Sequence, residues 1–162
     1  MKTLLLLRHA RPSQSSPTGR DFDRPLVEAG RADARLVGQT LVGRNLAPAV
    51  ILCSPAARAR ETTEIVREAA QLSAPPRFDD RLFNATTEQL LAVLSESEDE
   101  AAVILLVAHN PGIAELILLL TGTSARVSPG TLARIELDIQ TWRDLSADTT
   151  GQLAFALEPG EN

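Results

Sequence analysis

The chain has 162 residues, enough for one domain with a substantial core and too few for two comfortable ones. At 44% hydrophobic and 23% charged residues it has the composition of an ordinary soluble globular protein. A formal net charge of -5 and only 3% aromatic residues argue against a nucleic-acid binder, which would need a basic face or stacking platforms.

The first apolar run, Thr3–Leu7, is short, continuous and leucine-rich, the pattern of a strand buried on both faces. It ends in Arg8 and His9. Although Lys2 precedes it, the run is shorter than the roughly 7 to 15 residues of a signal-peptide core. Leu26–Asn45 then repeats apolar residues at Leu26, Ala29, Leu36, Val37 and Leu41, at helical spacing. Val50–Cys53 reads as a second buried strand and Ala56–Leu72 as a second helix. Thr86–Leu94 begins a third, with Leu90, Leu91 and Leu94 on one face. "SESEDE" at Ser95–Glu100 reads as a solvated helix end.

Val103–Ala108 is another buried strand, closed by His109, the only other histidine. Ile113–Leu120 is a helix, apolar nearly all round and therefore expected to be buried. After Gly122, "TLARIELDI" alternates like a half-exposed strand and "LAFALE" like another. The polar connection between them carries Trp142, read as a packing anchor. Cys53 is the only cysteine, so no intramolecular disulfide forms and no oxidising compartment is required. No run approaches the roughly 18 apolar residues of a membrane span. These features predict a cytoplasmic α/β protein, one domain over residues 1–162, with neither membrane nor nucleic acid as partner.

In a helix-covered parallel sheet, ligands bind beyond the carboxyl ends of the strands, at a topological switch point. Both histidines stand there. Ser54-Pro55 resembles a helix N-cap followed by proline at the first helical position, and Asn110-Pro111 repeats the device. Two helix starts would then present free N–H groups to one crevice, a setting for an anion. Arg58 falls in the first helical turn, where a cation is disfavoured by roughly 0.3 to 1 kcal/mol. Glu61 and Glu64 lie within pairing distance of it, but a bound anion explains the position better. Arg8 poses the same question, because a buried strand does not end in a guanidinium without a partner.

Two imidazoles, two guanidiniums and two helix starts describe a phosphoryl site. Two histidines without clustered carboxylates or thiols do not complete a zinc sphere, and no glycine-rich phosphate loop is present. A nucleophilic histidine must be neutral, with one ring nitrogen free and the other held by a hydrogen bond. The second must donate to the phosphoryl oxygens. Position along the chain leaves open which histidine takes which role.

"LRHA", "SPAARARET" and "AHNPG", in that order, resemble the histidine phosphatase (phosphoglycerate-mutase-like) superfamily, from Lys2 to about Gly122. The short length and "DRPLVEAGRADA" are most similar to its SixA-type phosphohistidine phosphatase branch. The resemblance implies a three-layer α/β/α fold with a mostly parallel sheet, and a metal-independent phosphatase without a cofactor. It implies that His9 is the nucleophile, that Arg8 and Arg58 hold the phosphoryl oxygens, and that His109 stabilises the transition state. The implied partner is a phosphorylated substrate, first among them a phosphohistidine-bearing signalling protein. A small-molecule phosphomonoesterase and a non-catalytic phosphate-binding module are the alternatives.

The chain departs from the family pattern at Ala10, where many members have glycine, and at Ser15, where larger members place an asparagine. Asn84 stands where many members carry the glutamate acid; Asp79 and Asp80, nearby, read as turn and surface residues. Without a dedicated acid the site should favour a phosphoramidate, whose imidazole leaving group already carries a proton, over a sugar alkoxide. Asn110, Ser15 and Arg20 are further candidate phosphate contacts. The loop Pro12–Arg24, with Arg20 and Arg24, is the expected rim.

Overall fold

The leucine run forms β1 (Lys2–Arg8), and the period-2 alternation of a strand explains why it is apolar throughout. Leu4 and Leu6 point into one core layer, Leu5 and Leu7 into the other, and none of the four has exposed surface. The structure, a computed structural model, describes Met1–Asn162. The remaining elements are α1 (Glu28–Gly43), β2 (Val50–Cys53), α2 (Ala57–Ala70), β3 (Pro76–Phe78), α3 (Thr87–Ser95), β4 (Val103–Ala108), α4 (Gly112–Thr121), β5 (Leu132–Leu137) and β6 (Gly151–Leu157).

They build a six-stranded sheet in the order β3-β2-β4-β1-β5-β6. The first four of these run parallel, β5 is antiparallel to β1, and β6 is antiparallel to β5. Ala34, Val37 and Leu41 of α1 and Ala59 and Val66 of α2 share one layer with Leu5 and Leu7. Leu90 and Leu94 of α3 and Ile113, Leu116 and Ile117 of α4 share the other with Leu4 and Leu6. The arrangement is the expected three-layer α/β/α fold with a mostly parallel sheet.

Strand order decides where the site lies. β1 and β4 are neighbours, with Arg8 opposite Ala108. From β1 the chain passes to α1 on one face; from β4 it passes to α4 on the other. A crevice therefore opens between their carboxyl ends, which is the topological switch point.

Several details differ from expectation. β3 has no counterpart in the sequence reading: three residues starting at a proline carry no period, and such a strand is tolerated at a sheet edge, where a missing N–H does no harm. Helix α4 is not buried all round. Its positions Ile113, Leu116, Ile117 and Leu120 face the core, while Leu118 and Leu119 are 50% and 40% exposed. Strand β5, by contrast, keeps the expected alternation, with Ala133, Ile135 and Leu137 buried and Arg134 and Glu136 partly exposed. The acidic segment does more than solvate a helix end, since an Asp99 carboxylate oxygen accepts the Trp142 backbone N–H at 3.0 Å. Trp142 is fully buried and its indole N–H donates to Ala101 O at 2.7 Å, as a packing anchor should. No helix is long and apolar enough to cross a membrane.

Candidate active site

The backbone carries His9 and His109 to one place. His9 N–H donates to Ala108 O at 3.1 Å, extending the β1–β4 ladder by one step beyond the strands. Both side chains then stand at the strand ends with ring centroids 5.1 Å apart and planes tilted by 55°. His9 Nδ1 lies 2.8 Å from Ala10 O. A carbonyl oxygen only accepts, so Nδ1 carries the proton and the lone pair resides on Nε2. Burial pushes His9 down to about 4; the Ala10 bond opposes this, and the charges of Arg58, Arg8 and Arg24 reinforce it. The ring is thus neutral at physiological pH.

His109 Nε2 lies 2.7 Å from the Ser54 hydroxyl. Ser54 was expected to cap α2, but that helix starts at Ala57 and has no side-chain cap. The strand end puts Ser54 beside β4 instead, through Ser54 N–H to Val107 O, and its hydroxyl serves the imidazole. With the hydroxyl donating to Nε2, the imidazole proton falls on Nδ1, a buried atom with no partner in the protein. Burial, then His9 and Arg58, bring His109 down to about 3.

Arg58 sits in the first turn of α2, as the sequence indicates, and is buried. Its partner is neither Glu61 nor Glu64. Glu61 accepts from the Leu26 N–H and from Arg31, and Glu64 is exposed. Arg58 instead donates Nη1 to Asp21 O at 2.8 Å and Nη2 to Asp21 Oδ2 at 3.1 Å. Asp21 opens a short 3-10 turn, Asp21–Asp23, on the rim loop. No local pattern in the sequence singles out Asp21, because the bond spans 37 residues, although Asp21 lies within the expected rim loop Pro12–Arg24. Arg8 donates one terminal nitrogen to Val127 O at 3.0 Å. Four buried side-chain polar atoms lack partners: Arg8 Nε, Arg58 Nε, His109 Nδ1 and Ser16 Oγ. Native structures contain few such atoms, and three of these four lie on the converging residues: both arginine Nε atoms are donors, and His109 Nδ1 is one when Ser54 donates to Nε2. They suit an oxyanion.

The lesser candidates are placed differently. Asn110 was expected to cap α4, but that helix starts at Gly112 with Pro111 as its N-cap; Asn110 Oδ1 instead accepts from Ala114 N–H in the first turn at 3.3 Å, and Nδ2 donates to Val127 O at 2.9 Å. Its amide is engaged at both ends. Ser15 is exposed, whereas the buried hydroxyl belongs to Ser16. Arg20 is exposed and paired with Asp23. Arg24 links Asp21 Oδ1 at 2.9 Å to Ser13 O at 2.9 Å, ordering the rim loop.

No carboxylic acid is poised over the crevice. Asn84 is exposed, with a left-handed φ of 53°. Asp79 is bound by Arg81, whose hydrogen bonds hold its carboxyl below the usual range. Asp80 is exposed. Partial burial opposes ionisation of Asp21, but the Arg24 hydrogen bond and the Arg58 charge outweigh it and keep the carboxylate ionised. Phe83 was not singled out by the sequence, yet its ring meets His109 edge-on at 5.5 Å and Phe22 at 5.2 Å. No three His, Cys, Asp or Glu side chains gather in a metal-holding arrangement.

Known proteins place this geometry in context. The model of the histidine phosphatase superfamily (branch 1) matches residues 4–89. An uncharacterized chloroplastic protein of Arabidopsis thaliana is 30% identical over 155 residues, covering 90% of this chain and 71% of the relative. Among solved structures, a protein assigned as the phosphohistidine phosphatase SixA of Nakamurella multipartitia superposes with a TM-score of 0.86 at 30% identity, covering 99% and 97% of the two chains. One assigned as SixA of Agrobacterium tumefaciens gives 0.80 at 30% identity, with 98% of each chain covered. From strand order through motif order to these likenesses, the chain is a member of the histidine phosphatase superfamily, branch 1, with the phosphoglycerate-mutase-like fold and the activity class of a phosphatase.

Proposed function

We propose that this protein hydrolyses phosphohistidine in proteins through a phosphorylated His9, as a SixA-like phosphatase. The observation that carries the reading is the His9 Nδ1–H bond to Ala10 O, which leaves the Nε2 lone pair on a neutral ring. The substrate phosphoryl group binds among Arg8, Arg58 and His109, whose unpartnered N–H groups meet its oxygens. Nε2 forms the new N–P bond as the substrate P–N bond breaks. The departing imidazole keeps that electron pair, and the proton on its other ring nitrogen leaves it neutral. A water oxygen then attacks phosphorus, the bond to His9 Nε2 breaks and returns its electrons to the ring, and both protons of the water leave on inorganic phosphate. His109 and the arginines stabilise charge on the equatorial oxygens in both steps.

Preference for phosphohistidine follows from the carboxyl groups. An alkoxide leaving group needs a proton in the transition state, worth typically 10²- to 10⁴-fold. Asp21 and Asp79 are held ionised by arginines, and Asn84 cannot supply one. The likeness to proteins assigned as SixA supports the same substrate.

The test is trapping of acid-labile phosphate on the wild type and on His9→Ala, with turnover measured on a phosphohistidine peptide and on sugar phosphates. Labelling is expected in the wild type alone, with phosphohistidine preferred by at least 10²-fold. Label that survives His9→Ala overturns the mechanism. Equal turnover of sugar phosphates, abolished by Asp80→Asn, overturns the substrate assignment in favour of a phosphomonoesterase with Asp80 as acid.

A further inference from the structure

Phe83 stands between the phosphoryl-facing residues and the rim. Its ring meets His109 at 80° and 5.5 Å, and the Arg58 guanidinium lies 5.9 Å from its centroid. Phe22 meets it at 85° and 5.2 Å. With the 5.1 Å pair of His9 and His109, four rings form an unbroken row from the nucleophile outward. The chain has four phenylalanines, one tryptophan and no tyrosine, so half of its phenylalanines are spent here, and both are only half-buried.

Both rings are held by elements that also hold the site. Phe22 belongs to the 3-10 turn whose Asp21 grips Arg58. Phe83 precedes Asn84, whose positive φ turns the chain so that Ala85 O packs against Gly112 at the start of α4. That contact is too close for a side chain, since a Cβ on Gly112 would come within 2.6 Å of the oxygen. The rings are therefore presented by fixed backbone.

In-line displacement puts the leaving group on the side of phosphorus opposite His9 Nε2. The Phe83 and Phe22 rings run outward from His109 to the rim, beside the Asp21–Arg58 and Asp21–Arg24 pairs. Resting on the His9 chemistry proposed above, we infer that Phe83 and Phe22 form a platform for a planar aromatic leaving group. The site then selects phosphoimidazoles and aryl phosphates over donors with equally good but non-aromatic leaving groups. Offset or edge-on stacking is the source of the discrimination.

The experiment compares kcat/KM for a phosphohistidine peptide, phenyl phosphate and acetyl phosphate in the wild type, Phe83→Leu, Phe22→Leu and Phe83→Tyr. Leucine keeps bulk and removes the ring, so each leucine variant should lower the ratio of either aromatic donor to acetyl phosphate five- to tenfold. Phe83→Tyr keeps the ring and should keep the ratio within twofold, which preserves the test if a leucine variant fails to fold. Ratios unchanged in the leucine variants, or lost in Phe83→Tyr, overturn the platform, because the rings would then only support His109 and Arg58. Absence of an acid-labile phosphoenzyme from every donor in the wild type overturns the His9 chemistry itself, and the platform with it.

Discussion

The Asp21 carboxylate is shared between two arginines, with Oδ2 3.1 Å from Arg58 and Oδ1 2.9 Å from Arg24. A buried guanidinium that loses its carboxylate keeps its desolvation cost and one bond to the Asp21 backbone. Because Asp21 is itself half exposed, Asp21→Ala should destabilise the ligand-free protein by only about 1 to 2 kcal/mol. Inorganic phosphate, able to replace the lost anion, should then raise the melting temperature of the variant more than that of the wild type. Thermal melts with and without phosphate check this; an unchanged ligand-free melting temperature refutes it.

The two histidines should behave unlike free imidazoles. Folded His9 titrates at about 4 and His109 at about 3, against an ordinary value near 6.5. Between pH 6.5 and 4 the unfolded chain therefore binds more protons than the folded one, and stability falls as pH falls. For His9 alone the loss between pH 7 and 4 is roughly 3 kcal/mol. Urea unfolding at pH 7 and 5 reads the trend. Imidazole proton resonances, of which the chain supplies only two sets, should stay flat from pH 8 to 5.5 without phosphate. A titration near 6.5 for either ring contradicts the burial argument.

Ser54 holds His109 by the 2.7 Å bond to Nε2. Ser54→Ala leaves that nitrogen without its hydroxyl partner and frees the ring to turn. A loss of about tenfold in kcat is expected, about 1.4 kcal/mol, with KM within threefold. His109→Gln should cost more, on the order of 10² to 10³ in kcat, as for removal of an oxyanion donor. Steady-state kinetics on a phosphohistidine peptide separates the two; a Ser54→Ala effect confined to KM would place Ser54 in binding rather than in positioning His109.

Two glycines give opposite expectations. A Cβ at Gly112 would lie 2.6 Å from Ala85 O, so Gly112→Ala forces backbone apart and should destabilise by about 1 to 3 kcal/mol. Gly43, the last residue of α1, has nothing within 4 Å of the same added atom. Gly43→Ala should stabilise by about 0.4 to 1 kcal/mol through the unfolded chain. Urea midpoints of both variants, measured together, test whether backbone contact or intrinsic flexibility governs each site.

Local chemistry was readable wherever a few consecutive residues encode it. Four leucines in a row, "VILC" and "VILLVA" each announce a strand buried on both faces, and the strands lie where the runs do. Arg8 closes its strand, His9 and His109 follow theirs directly, and Arg58 falls in a first helical turn, so their meeting at a switch point follows from sequence order and fold class together. Tertiary structure alone decided what these groups touch. Ser54 turned from a helix cap into the partner of His109, Asp21 rather than Glu61 met Arg58, and Phe83 reached the site from a stretch with no period. Each of these contacts joins residues 26 to 55 positions apart and depends on which strands lie side by side. Periodicity within a segment records which face is apolar; it holds no record of which distant side chain will stand across the crevice.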